Sequence, residues 1–359
     1  MYHTKVPIST IQTVVNRCPS CLCQPQLFGA AAPGRPGFRR GYKQHSAARC
    51  FLRQPAKVHK RQRGTMGCHA AGSAADTSTA SKDLLIVGPG VLGSYLGKLW
   101  LERFPSANVV GQTNTNASHD RLRRLKIQPR TKDEAGSEKF PFVVFSAPPS
   151  GSADYVGEVK AALQLWDGQG TFLYTGSAGI YAIEDGSEVT DQSPTAELGK
   201  DERTDRQMLV EEAVLAAGGC VVRLAGLYHA QRGAHTFFLR MGKVGRWAGY
   251  TVNLIHYEDA ADLSAAILRG DGSSNFYRGR VFLGADGAPL TFQEMMDATL
   301  ASGAYDGTVE FTGSESAVKG KRLNASATRE ALRWSPRYSS YQAFMAAGAK
   351  DWYTQSWLF

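Results

Sequence analysis

The chain has 359 residues, 43% of them hydrophobic and 20% charged, which is enough for one large domain, or one domain with a small lobe, and excludes a disordered chain. The formal net charge of +9 is unevenly spread: twelve of the 41 Lys and Arg residues precede Lys82, against one acid, Asp76, of the 32. The rest holds 29 basic and 31 acidic residues, so the basicity describes the leader, and nucleic acid is not an expected partner of the body. No run of eighteen apolar residues occurs, and no transmembrane helix is expected.

Residues 1–71 are rich in Arg, Ser, Ala and Gly and lack a long apolar core. That is the composition of an organelle transit peptide, for the chloroplast in first place and the mitochondrion in second, with cleavage around Gly67-Cys68-His69-Ala70-Ala71. The alternative is a basic tail that stays attached. Cys18, Cys21 and Cys23 stand close together, but no second Cys or His pair at finger spacing follows, so no metal site is expected. Cys220, beside Val221 and Val222, reads as a buried reduced thiol. Residues 72–82 read as a flexible linker.

Order is expected from Leu84-Leu85-Ile86-Val87, an apolar run typical of a parallel strand buried on both faces. A glycine-rich turn follows, then a helix with Leu92, Leu96, Leu99 and Trp100 on one face. Val109-Val110-Gly111 is a second strand. A helix closes at Leu122–Leu125, and a third strand is expected near Ile127. Phe142–Phe145 is the fourth strand. A helix around 154–165 leads to strand Thr171–Thr175, and a helix around 202–217 to strand Val221–Leu224. This alternation predicts an α/β fold of Rossmann type, a doubly wound parallel sheet with helices on both faces. After residue 226 the pattern loosens: a basic stretch (Arg232, Arg240, Lys243, Arg246), Val252–His256, a helix over Glu258–Leu268, strand-like Val281–Leu283 and a helix over Phe292–Leu300. The expected division is a dinucleotide-binding domain over 83–350, with a lobe built mainly by 226–256 and 280–350.

Gly88, Gly90 and Gly93 form G-x-G-x-x-G between strand and helix. The first glycine permits the tight turn, the second lets a pyrophosphate approach the backbone, and the third lets helix and strand pack closely. With Val91, Leu92, Thr113, Ala147 and Pro148 they make up the candidate cofactor cradle. The second strand ends in Gln112-Thr113-Asn114, without the acid that usually meets the ribose of NAD. Arg121, Arg123 and Arg124 follow, either as partners of a 2′-phosphate or as a solvated helix face. NADP is therefore slightly preferred over NAD.

The landmarks occur in a fixed order: the glycine motif, Phe145-Ser146-Ala147-Pro148-Pro149, Thr175-Gly176-Ser177-Ala178-Gly179-Ile180-Tyr181, Val222-Arg223-Leu224-Ala225-Gly226-Leu227-Tyr228, and Asn253-Leu254-Ile255-His256-Tyr257-Glu258-Asp259-Ala260-Ala261. Over about 83–350 the chain thus resembles the atypical and extended short-chain dehydrogenase/reductases, the NAD-dependent epimerase/dehydratase-like group. The resemblance implies a seven-stranded sheet, a small C-terminal substrate lobe and NAD(P) across the sheet edge. It also implies a catalytic Tyr-x-x-x-Lys element and a serine holding the substrate oxygen. Ser177 matches the serine. Alignment on Glu211 puts Arg203 at the tyrosine and Gln207 at the lysine. Arginine stays protonated and is no base, and glutamine has no charge to depress a neighbour's pKa.

Two readings follow. In one, the protein is an enzyme acting on a small or nucleotide-sugar-like substrate with a displaced acid/base. Tyr181 is the first candidate for that group, and Tyr228, His229 and His256 are weaker ones. In the other it is a non-catalytic NAD(P)-binding scaffold, assembly factor or RNA-associated protein of the organelle. The cations of Lys319-Gly320-Lys321-Arg322 and Arg337 are candidates for meeting an anionic substrate, or a solvated face. A homodimer is a further candidate partner state.

Overall fold

A computed structural model of the chain describes residues 80–150, 152–271, 276–316 and 318–351. The expected leader (1–71), most of the linker (72–82) and all the cysteines except Cys220 lie outside the described residues.

The elements run β1 (Leu84–Val87), α1 (Val91–Arg103), β2 (Val109–Thr113), α2 (His119–Arg124), β3 (Gln128–Thr131), β4 (Phe142–Phe145), α3 (Tyr155–Leu163), β5 (Phe172–Ser177), β6 (Asp185–Val189), α4 (Glu202–Ala216), β7 (Cys220–Leu224), β8 (Gly226–Tyr228), α5 (Ala234–Met241), β9 (Lys243–Trp247), β10 (Thr251–Val252), β11 (Leu254–His256) and α6 (Tyr257–Arg269). There follow β12 (Val281–Gly284), β13 (Leu290–Thr291), α7 (Phe292–Ala301), β14 (Glu310–Gly313), β15 (Gly320–Leu323), α8 (Ser326–Leu332) and α9 (Tyr341–Ala346).

The central sheet is parallel and seven-stranded, in the order β12-β7-β5-β4-β1-β2-β3. Its order reverses between β1 and β4, the crevice where open α/β sheets bind ligands. Successive side chains of a strand point to opposite faces. Leu84 and Ile86 join the cluster under α1 and α6, while Leu85 joins the one under α3 and α4. Each of these side chains is fully buried, a contribution of about 1.5–3 kcal/mol apiece. Burial on both faces explains why β1 and β4 read as unbroken apolar runs and why β5 and β7 open on apolar residues.

The edge strand β3 starts just after Ile127, because Lys126 turns the chain with φ +61° and Pro129 is tolerated where only β2 pairs. The stretch 280–350 is divided between two regions: β12 completes the central sheet with α8 packed beside it, while β13, α7, β14, β15 and α9 build the lobe. There β6, distant in sequence, joins β13, β10 and β15 in a small sheet. No helix among the described residues is long and apolar enough to cross a membrane.

The seam between lobe and sheet is aromatic and holds buried carboxyls. Tyr228 packs edge-on against His256, Tyr341 and Phe344, with ring centroids 4.9–5.4 Å apart. Asp259 accepts the N–H groups of Arg337 (2.7 Å) and Tyr338 (3.1 Å), tying the C-terminal segment to α6. Asp286 accepts the N–H of Ala288 (2.9 Å). Burial pushes the Asp259 carboxyl up to about 6 and the Asp286 carboxyl up to about 7, against the opposing pull of their hydrogen bonds. The folded protein therefore keeps the Asp286 proton that an unfolded chain loses at about pH 4. Its stability should fall as pH rises from about 4 to about 7. Asp286→Asn should flatten this fall, as urea-unfolding midpoints across that window will show.

Candidate functional site

The turn between β1 and α1 has no room for a side chain at its first glycine. Gly88 has φ +80°, and a Cβ on it would lie 2.4 Å from the Cα of Ala147. The turn thus lies directly on the chain leaving β4, and Ser146 Oγ donates to the Gly88 carbonyl (2.9 Å). A Cβ on Gly93 would lie 2.8 Å from Ile86, so α1 sits hard against β1. Gly90 differs: its Cβ would meet nothing nearer than the Gly88 carbonyl oxygen at 4.0 Å. No side chain caps α1 at Gly90, leaving the first-turn amides at the positive end of a 13-residue helix. A tight turn, an open middle glycine and a close-packed third are the arrangement a pyrophosphate needs.

Two chambers share this loop. Gly88, Gly90, Arg121, Ser146, Ala147 and Pro148 line both. The first, about 510 Å³, lies toward the end of β2, beside Gln112, Thr113 and Asn114. Thr113 has its hydroxyl engaged, donating to the Arg130 carbonyl (3.2 Å) and bonded to His119 Nε2 (2.9 Å). Of the three arginines after β2, only Arg121 lines the chamber, donating to the Pro89 carbonyl (3.0 Å). Arg123 pairs with Asp120 (2.7 Å), and it and Arg124 are exposed away from it. Lys132, which sequence reasoning missed, adds a second cation and pairs with Glu158 (3.2 Å).

The second chamber, about 640 Å³, brings Val91, Leu92 and Gly93 to Ser177, Arg203, Gln207 and Arg232. Ser177 closes β5, and its Oγ accepts the N–H of Gly179 (3.1 Å). Gln207 Nε2 donates to the Ser177 carbonyl (2.8 Å) and to Glu211 (2.9 Å). Glu211 is buried and receives both Nε (3.1 Å) and Nη2 (2.8 Å) of buried Arg223. The site serine is thus fixed through its backbone to a buried ion pair. Tyr155 and Tyr174 also line this chamber, a contribution no motif signalled. Tyr155 donates to the Ala147 carbonyl (2.8 Å), and burial raises both phenols above their ordinary value.

Tyr181 does not share the chamber with Ser177. The 3₁₀ turn Ala178–Ile180 carries it into the core, 2% exposed, with the Arg223 guanidinium 4.9 Å from its ring centre. The other acid/base candidates are also elsewhere. Tyr228 is packed in the seam. His229 is buried, accepts the Gln231 N–H at Nδ1 (3.1 Å), and is pushed down to about 4 by burial. His256 caps α6 by accepting the Glu258 N–H (3.1 Å), and its Nε2 lies 3.5 Å from Asp351. Lys321, from the cationic tail stretch, is buried and donates to the Tyr181 carbonyl (2.6 Å).

No protein-family model and no curated protein matches the sequence. Solved structures do match the fold. A functionally unknown conserved protein from Silicibacter pomeroyi DSS is 19% identical, with a TM-score of 0.60 over 74% of this chain and 97% of that one. UDP-glucuronic acid 4-epimerase from Bacillus cereus, in complex with NAD, is 14% identical, with a TM-score of 0.60 over 74% of this chain and 94% of that one. dTDP-glucose 4,6-dehydratase from Bacillus anthracis, also in complex with NAD, is 12% identical, with a TM-score of 0.58 over 77% and 98%. The fold is therefore Rossmann-type, and its structural neighbours include NAD-dependent epimerase/dehydratase-type proteins.

The Glu211–Arg223 pair gives a direct test of what supports the site. Arg223→Met leaves a buried carboxylate without its cation and should cost about 3–5 kcal/mol of stability in urea unfolding. Adding Glu211→Leu should restore a large part of that loss.

Proposed function

We propose that this chain is an NAD(P)-binding, short-chain dehydrogenase/reductase-like protein of the chloroplast. It would act on a small or nucleotide-sugar-like substrate with a site that lacks Tyr-x-x-x-Lys. The observation that carries the reading is the glycine loop: a middle glycine facing open space at the bare N-terminus of α1, between two chambers. Gly88, Gly90, Val91, Leu92, Gly93, Ala147 and Pro148 would hold the dinucleotide, with Thr113 at its ribose end. When bound, NAD(P) accepts or supplies a hydride. Ser177 would hold a substrate oxygen. Arg121 and Lys132 beside the first chamber, with Gln112-Thr113-Asn114 in place of a ribose-binding acid, favour NADP.

The second reading, a dinucleotide-binding scaffold without turnover, is favoured by one observation. Gln207 is occupied in bonds to Ser177 and Glu211, and Arg203 stands where the resemblance requires an acid/base. Hydride transfer to or from any substrate of a nucleotide-sugar panel would remove it.

The dinucleotide is tested by calorimetric titration of the full chain with NADP, NADPH, NAD and NADH, in the wild type and in Gly90→Trp. A side chain at Gly90 enters open space at an ordinary negative φ, so the fold should persist while the loop is blocked. Binding should favour the phosphorylated pair by about tenfold, about 1.4 kcal/mol, and vanish in the variant. Absence of binding by all four would overturn the reading. The organelle assignment rests on the leader's charge and composition. Residues 1–71 fused to a fluorescent protein should reach the chloroplast, and diffuse fluorescence would refute that part.

A further inference from the structure

The second chamber carries more positive charge than a dinucleotide explains. Its lining includes Arg121, Arg203 and Arg232 and no Asp or Glu. Arg121 is tied to the Pro89 carbonyl beside the glycine loop, where it and the end of α1 would face a pyrophosphate. The other two are different. Among the described residues, no side-chain hydrogen bond or ion pair engages Arg203 or Arg232.

Both are exposed at the chamber's mouth, and the Arg203 charge also acts on Asp201 two residues before it. Arg203 stands in the first turn of α4, the end at which a helix disfavours cations. The carboxylates of that turn take their side-chain hydrogen bonds elsewhere: Asp201 accepts from Thr204 (2.9 and 2.7 Å), Asp205 from the Gly199 N–H (2.9 and 3.0 Å), and Glu202 from Arg206 (2.5 Å). Arg203 is left facing the chamber one turn before Gln207. Arg232 lines the same chamber on a backbone pinned by two hydrogen bonds with His229 (2.8 and 3.1 Å). Beyond Arg232 a further pocket of about 630 Å³ adds Arg240, again without a carboxylate. Guanidinium groups remain protonated and cannot transfer a proton at neutral pH; their fork of donors matches a carboxylate or phosphate.

We infer that Arg203 and Arg232 clamp an oxyanion, a carboxylate or phosphate group of the substrate, in the second chamber beside Ser177. The inference rests on the dinucleotide reading above, in which the glycine loop is already filled by the cofactor. It narrows the substrate to an anion and gives Arg203 a binding role at the place of the missing acid/base.

The test titrates the full chain at constant ionic strength with inorganic phosphate, malonate and glycerol, in the presence of saturating dinucleotide. Should no dinucleotide bind, the same titrations on the wild-type chain without dinucleotide read the clamp apart from the failed cofactor reading, because the arginine variants below still report on it. Wild type should bind phosphate or malonate at one site, with mutual displacement, and not glycerol. Tighter phosphate identifies a phosphate ligand, and tighter malonate a carboxylate. Arg203→Gln and Arg232→Gln should each weaken binding by about tenfold or more. Arg203→Lys, which keeps the charge and loses the fork, should weaken it less. Arg103→Gln at the far end of α1 should leave it unchanged. Binding of neither anion, independent binding of the two, or losses no larger than in Arg103→Gln would overturn the clamp.

Discussion

The architecture of the cleft depends on one steric constraint: the backbone at Gly88 lies so close to Ala147 that no side chain fits between them. This contact joins the first strand's turn to the end of the fourth strand, across the crevice where the sheet reverses its order. With Ser146 donating to the Gly88 carbonyl, it aims α1 so that its uncapped amides open into the cleft. The same helix is held from behind by Gly93 against Ile86. A side chain at either position would move the helix, and the uncapped amides at its end would move with it.

Beneath Ser177 the protein uses polar groups where a core would normally be apolar. Burying the Glu211–Arg223 pair costs several kcal/mol of desolvation per ion, which the mutual attraction offsets only because the geometry is two-pronged. The pair is therefore poor evidence of added stability and better evidence of positioning. Gln207 extends it to the Ser177 carbonyl, and Tyr181 closes it from the far side with its ring against the guanidinium. A lysine in place of Gln207 would bring a second cation to Glu211. The neutral amide completes the network without one.

Much of the scaffold was legible in the sequence, for a physical reason. Strands covered by helices on both faces are mostly apolar, so β1, β4 and the first halves of β5 and β7 stand out, and glycines with distinct steric tasks mark the turn between β1 and α1. A lobe over 226–256 and 280–350 was expected, but its strand pairing was not legible. Its strands are two to five residues long, too short to show a period, and β15 pairs with β6 across more than a hundred residues. Tyr181 misled for a local reason: its separation from Ser177 suggested a shared loop, but a single 3₁₀ turn reverses the side chain into the core. Arg203 and Gln207 were located by their spacing to Glu211. That Gln207 bridges Ser177 and Glu211 depends on side-chain direction, which spacing does not contain.

The glycine loop also acts as a partition. Because Gly88 and Gly90 border both chambers, a ligand filling one chamber gains contacts on only one side of the loop. A ligand with two heads joined by a short bridge would reach both, its second head arriving at the high effective concentration set by that bridge. Each chamber needs only a weak grip on its own head for the joined molecule to be held firmly. Cutting the bridge of such a ligand would remove that gain for both halves.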